Sequence, residues 1–123
     1  MNPLTLKQHA LWLRAVEEFN RKQFYICHET LEALWRDTNE ETLKRLLQGV
    51  LHIAVALYHL DRNNAVGYEL QMKKGLVKLN AGLRVPSDLP IRNDLIVFYR
   101  EVADFNRMRK SHIPMLRFNA SAA

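Results

Sequence analysis

The stretch from Leu43 to Tyr58 constrains the chain most, because the helix it predicts is apolar on almost every side. Leu43, Leu46, Leu47, Val50, Ala54, Leu57 and Tyr58 recur at helical spacing and make one broad face. Gln48, His52, Val55 and His59 cluster in the opposite direction, and Gly49 and Ala56, seven residues apart, form a strip of small side chains. A helix of this kind needs neighbours on most of its surface. Glycine inside a helix costs about 1 kcal/mol relative to alanine, so Gly49 marks a place where another backbone comes close. The expectation is a buried central helix, and the rest of the chain has to supply its cover.

That cover reads as four more helices. Thr5-Leu-Lys-Gln8 has the spacing of a capping box and opens a helix with Leu6, Leu13, Val16 and Phe19 on one side and Trp12 partly towards it. Asn20 to Gln23 is a polar connection. The second helix ends near Arg36 or Asp37. At about 100° per residue, Phe24, His28, Leu31 and Trp35 fall on one narrow stripe of it. Cys27 and Leu34 widen that stripe on one side, and Glu32 borders the other. Thr38-Asn-Glu-Glu41 reads as a second capping box, ahead of the central helix. Asp61 to Asn64 is a turn, with Asn63 or Asn64 suited to cap a fourth helix carrying Tyr68, Met72, Leu76, Leu79 and Leu83. Gly82 and Pro86 are its stop signals.

Residues 84–91 form a loop with two prolines. A last helix over about 92–108 carries Leu95, Phe98, Tyr99, Val102 and Phe105, and residues 119–123 are expected to fray. No stretch alternates as a strand would. The predicted fold is therefore all-α: one domain over residues 1–123, a bundle of about five helices with helices two and three as its central hairpin.

Charge and cysteine usage narrow the function classes. The chain of 123 residues is long enough for a single core. Its lone cysteine, Cys27, cannot form an internal disulfide, which fits a reducing compartment. The opening residues lack the order of a secretory signal. The apolar run from Val50 to Leu60 holds two histidines and reaches about half the length of a membrane helix. A cytoplasmic protein without membrane association is expected. The formal charge is +5, spread along the chain except at Arg107, Arg109 and Lys110. Nucleic-acid binders concentrate their charge in a patch or stripe, so a nucleic-acid role rests on that basic C-terminal region alone.

FNRKQFYICHETLEALW, LLQGVLHIAVALYHL and NNAVGYELQMKKGLVKL together resemble the bacterial domain-of-unknown-function family 309. His28, Glu29, Glu32, Trp35, Leu47, Gln48, Gly49, Ala54, Ala56 and His59 stand in the places of that family's pattern. The resemblance covers about Val16 to Leu83. Gly67 and Gly75 depart from it, standing where residues that favour a helix more strongly are expected. It implies a compact all-α fold and no activity, because the family has no established one.

The candidate site is built from His28, Glu29, Glu32, Trp35, Gln48 and His59. The favoured account is a buried polar network in which His28 bonds Glu32, Gln48 or a backbone carbonyl and fixes the register of helices two and three, since buried polar groups need partners. It calls for no cofactor. A metal reading stands beside it: His28 and Glu32, one turn apart, would share a divalent cation with His59 or His52, Gln48 lying just outside, although the second histidine of an HExxH motif is missing. A histidine-dependent, hydrolase-like enzyme using His28 and Glu32 is the catalytic reading. Trp12, Trp35 and the tyrosines Tyr25, Tyr58, Tyr68 and Tyr99 admit a reading as stacking platforms for bases or a ligand, but at helical spacing they read as core or interface aromatics. The functional expectation is a non-catalytic module that packs against itself, a partner protein or a small ligand.

Overall fold

A computed structural model describes residues 4–108 and 114–116. The chain runs through five α-helices: α1 (Leu6–Asn20), α2 (Phe24–Arg36), α3 (Glu41–Asp61), α4 (Ala65–Arg84) and α5 (Arg92–Met108). No strand occurs among the described residues. The all-α bundle of five helices is the fold the periodicity predicted. Arg109, Lys110 and the tail 119–123 lie outside the described residues.

Local chemistry sets most helix starts. The Thr5 hydroxyl accepts from the Gln8 N–H and the Gln8 side chain accepts from the Thr5 N–H, closing the predicted box. The second predicted box does not form. Glu40, one residue before α3, accepts from the amides of Thr42 and Leu43, whereas the Thr38 hydroxyl turns back to donate to the Leu34 carbonyl at 2.7 Å. A carboxylate nearer the free amides, and favoured by the helix dipole, takes the cap. Asn64 caps α4 through the Gly67 N–H, and Asn63 occupies the left-handed turn position at φ 58°. Gly82 does not end α4, which continues to Arg84. A Cβ at position 82 would meet the Leu46 side chain at 2.8 Å, so the glycine serves packing.

Helix α3 lies between α2 and α4, packing closely with both and most extensively with α4. On the α4 side the contact is nearly backbone to backbone. A Cβ at Gly49 would stand 2.8 Å from the Leu79 amide nitrogen, and one at Gly75 would stand 2.7 Å from Ile53 Cγ1. Gly75 therefore stands at a point where Ile53 needs the space. Helix α1 covers α2, and α5 packs against α4 and reaches across the base of the bundle. There the Phe98 ring meets Phe19 edge-on at 5.4 Å, and Phe19 meets Phe24 in the same manner at 5.3 Å. Asn20 ties down Leu116 with two hydrogen bonds, accepting from its N–H and donating to its carbonyl.

Two predicted faces are rotated. In α1 the buried residues are Trp12, Ala15, Val16, Glu18 and Phe19, while Leu6 and Leu13 face outward. Leu6 is 90% exposed. In α2 the buried residues are Phe24, Cys27, Thr30, Leu31 and Leu34, with His28 and Trp35 only half-buried. The true centre of that face is turned by roughly 50° from the predicted stripe at 100° per residue. The cause is packing on two sides: α1 covers the Cys27 edge, where the thiol donates to the Ala15 carbonyl at 3.3 Å. Burial, reinforced by the nearby Glu18 carboxylate, pushes that thiol's pKa up to about 12, so it is an inert packing group. Among the described residues no helix is long and apolar enough to cross a membrane.

Candidate functional site

Beside the buried stripe of α2 runs a second one, one residue on: Tyr25, His28, Glu32 and Trp35, at spacings of three, four and three. Helix α3 carries a matching stripe of Glu41, Arg45, Gln48, His52, Val55 and His59. Side chains three and four apart lie on one helix surface. These two stripes flank the seam where α2 meets α3, and the seam opens into recesses instead of closing.

The first recess is a cleft of about 190 Å³ lined by Tyr25 and His28 of α2 and by Val55, Tyr58 and His59 of α3. Its rings form a chain. Tyr25 stands 5.5 Å from the His28 ring and 5.4 Å from Tyr58, and Tyr58 stands 5.8 Å from His59. The Arg62 guanidinium lies over Tyr58 at 5.4 Å. His59 Nδ1 contacts the Asn64 amide nitrogen at 3.2 Å, and Gly67 leaves room for its ring, since a Cβ there would meet His59 Cγ at 2.7 Å.

The expected inward network around His28 does not form. Its Nδ1 is buried with no hydrogen-bond partner, and its Nε2 is 3.7 Å from Glu32 Oε2, too long for a hydrogen bond. Glu32 is held by Arg36 instead, at 2.6 Å. Glu29 is exposed. Gln48 lies one recess further along, with Glu32, Trp35, Arg36, Leu51 and His52 around about 230 Å³. The structure thus brings His28 and His59 to one cleft, sets Glu32, Trp35 and Gln48 at the next, and leaves Glu29 apart. Sidedness explains the difference: His28 stands at the rim of the packed face, turned away from Gln48 and from the carbonyls of α3.

His52 makes the inter-helix bond expected of His28. Its Nδ1 donates to the Gln71 side-chain oxygen of α4 at 2.7 Å, which fixes the tautomer and leaves Nε2 unprotonated. Burial holds its pKa below the ordinary 6.5; the Gln71 bond opposes that, and the charges of Lys78, Lys74 and His28 add to it. Among the described residues, no three His, Cys, Asp or Glu side chains are grouped so as to hold a metal ion. Reading from sequence missed Tyr25, Val55 and Tyr58 as cleft residues. The available signal was that Tyr25 precedes His28 by three, and Tyr58 adjoins His59.

This is a small helical domain whose recesses lie along the α2–α3 seam and at its junction with α4. Residues 12–70 match the family model of a domain of unknown function (DUF309). The match runs from the middle of α1 to the first turns of α4 and ends at Leu70, short of the Leu83 bound that the resemblance suggested. The chain is 35% identical over 74 residues to an uncharacterized protein, YpuF, of Bacillus subtilis (strain 168). That alignment covers 60% of this chain and 42% of the relative, so it spans less than half the length of the protein it matches. No solved structure matches significantly.

Proposed function

We propose that the chain is a non-catalytic binding module of the cytoplasm whose α2–α3 cleft receives a planar aromatic group, from a small ligand or from a partner protein's side chain. One observation carries this reading: Tyr25, His28, Tyr58 and His59 surround a cleft of about 190 Å³, with neighbouring rings 5.4 to 5.8 Å apart. Offset and edge-on ring contacts favour an aromatic guest. The buried, unactivated Cys27 fits a reducing compartment. Val66, Leu70 and Val77, all exposed on α4, would suit self-association or a partner. Nucleic-acid binding has less support, because Arg107 is paired with Asp104 at 2.7 Å.

Indole serves as the test guest. Its titration should move the ring carbon signals of His28 and His59 and leave those of His9 in place, and Tyr58→Ala should weaken the effect. No movement at millimolar indole, or an effect indifferent to Tyr58→Ala, would sink the proposal.

A histidine-dependent enzyme is the second reading, with His28 as base, Glu32 as its orienting carboxylate, and His59 or a divalent metal completing the site. The two histidines on one cleft favour it. The Glu32–Arg36 bond weighs against it, since that carboxylate would have to change partners. Elemental analysis of the purified protein would promote it if a metal were retained in the native chain and lost in both His28→Ala and His59→Ala.

A further inference from the structure

Away from the aromatic cleft, a recess of about 340 Å³ opens where the end of α2 meets the first turns of α3 and the second half of α4. Lys44 and Arg45 of α3 and Lys78 of α4 line it, together with Trp35 and Gln48; Glu41 is the carboxylate among its lining residues. None of the three cations forms an ion pair among the described residues. Lys44 and Lys78 are half-buried. The Lys44 ammonium is positioned 4.1 Å from the centre of the Trp35 ring, a cation–π contact that holds it at the recess. The Trp35 indole Nε1 is buried and has no acceptor.

Lys44, Arg45 and Lys78 face one volume against the single carboxylate of Glu41; they repel one another, and the half-buried Lys44 and Lys78 have lost part of their hydration, so an anion between them relieves both costs. The field reaches the neighbouring recess, where Lys78 and Lys74 help keep the His52 imidazole neutral. The volume falls in the range of small-molecule sites, about 300–1,000 Å³. Phosphate suits the arrangement better than a single carboxylate. It offers several acceptor oxygens and, at neutral pH, more than one negative charge to cations arriving from two helices.

We propose that this recess binds a small phosphate-bearing molecule, with Lys44, Arg45 and Lys78 contacting the phosphate oxygens and Trp35 forming the flat wall beside them. The assignment is independent of the aromatic cleft and stands or falls separately from it.

The test titrates the full chain with inorganic pyrophosphate at low ionic strength and follows the two indole N–H signals. Trp12 is fully buried in α1 and is the internal control. The Trp35 signal should shift saturably while the Trp12 signal stays. Lys44→Gln and Lys78→Gln should each weaken binding about tenfold, the loss expected for one charged hydrogen bond. Glu41→Gln should tighten it, and Arg100→Gln, on exposed α5 surface, should leave it unchanged. Absence of a saturable Trp35 shift overturns the proposal. So does an affinity that survives the Lys44→Gln/Lys78→Gln double substitution, or falls equally in Arg100→Gln, which would mark general attraction to positive charge. Tighter binding of citrate than of pyrophosphate would overturn the assignment to phosphate.

Discussion

Helix α3 meets α4 and α2 in opposite ways. Towards α4 the two backbones approach until glycines are required: Gly49 sits against the Leu79 backbone, and Gly75 against Ile53. Towards α2 the same helix parts from its neighbour and leaves two recesses, lined by imidazoles, tyrosines and a tryptophan, and a third, with the lysines, opens where the end of α2 meets α3 and α4. One side is closed by small residues that contribute no chemistry. The other is held open by large, half-polar residues that cannot all be buried. Stability and recognition are thus assigned to different sides of a single helix, and each side can be perturbed without the other.

The largest contrast is expected from two aliphatic truncations two residues apart. Ile53 is fully buried against Gly75, so Ile53→Ala should cost about 2–5 kcal/mol. Val55 is half-buried at the cleft, and Val55→Ala should cost about 1 kcal/mol or less. Urea denaturation of the two variants measures both. Equal losses would mean that the two sides are packed alike and would remove the contrast.

Gly49→Ala probes the closed side more finely. In an open helix this change would gain about 1 kcal/mol from helix propensity. Here the new Cβ would stand 2.8 Å from the Leu79 nitrogen and 2.9 Å from its Cα, and backbone cannot rotate aside as a side chain can. A net destabilisation of about 1–3 kcal/mol is expected, the scale of overpacking. A stabilised Gly49→Ala would show that α3 and α4 can separate at little cost.

How far these two sides could be read in advance follows the same division. The closed side was legible: a helix apolar all round with a glycine in its interior demands a neighbouring backbone, and Leu79 supplies it. The helices themselves were legible for the same reason, since apolar spacing and the Thr5 and Asn64 caps are local signals. The open side was not. Its residues lie on a stripe displaced from the buried face by one position, and periodicity alone does not locate the edge of a face within 50°. His28 was therefore placed inside the packing, when it stands at its border. The inter-helix imidazole bond belongs to His52, whose partner Gln71 is 19 residues away on α4, and a pairing at that distance has no local signature.

His52 gives the contrast a pH dependence with a definite sign. Its folded-state pKa lies below the ordinary 6.5 because the ring is half-buried. Above about pH 6.5 it is neutral in both folded and unfolded chains, and its contribution is fully present. As the pH falls below that value the unfolded chain takes the proton first, and stability is lost until the folded form is protonated as well. His52→Gln should flatten this part of the stability curve between pH 7.5 and 5. An unchanged slope in His52→Gln would assign the acid sensitivity to other groups.

The smallest expected effect on stability is at His28. Its Nδ1 is buried without a partner, and its Nε2 does not reach Glu32, which keeps its bond to Arg36. Removing the ring deletes no hydrogen bond and relieves one unsatisfied polar atom, and these gains offset the lost contact with Tyr25. His28→Ala should therefore stay within about 1 kcal/mol of the parent chain in a denaturation experiment, whatever it does to binding at the cleft. A loss above about 2 kcal/mol would mean that the imidazole joins α2 to α3 after all. The open side of α3 would then be structural, and the division of labour between its two sides would fail at its centre.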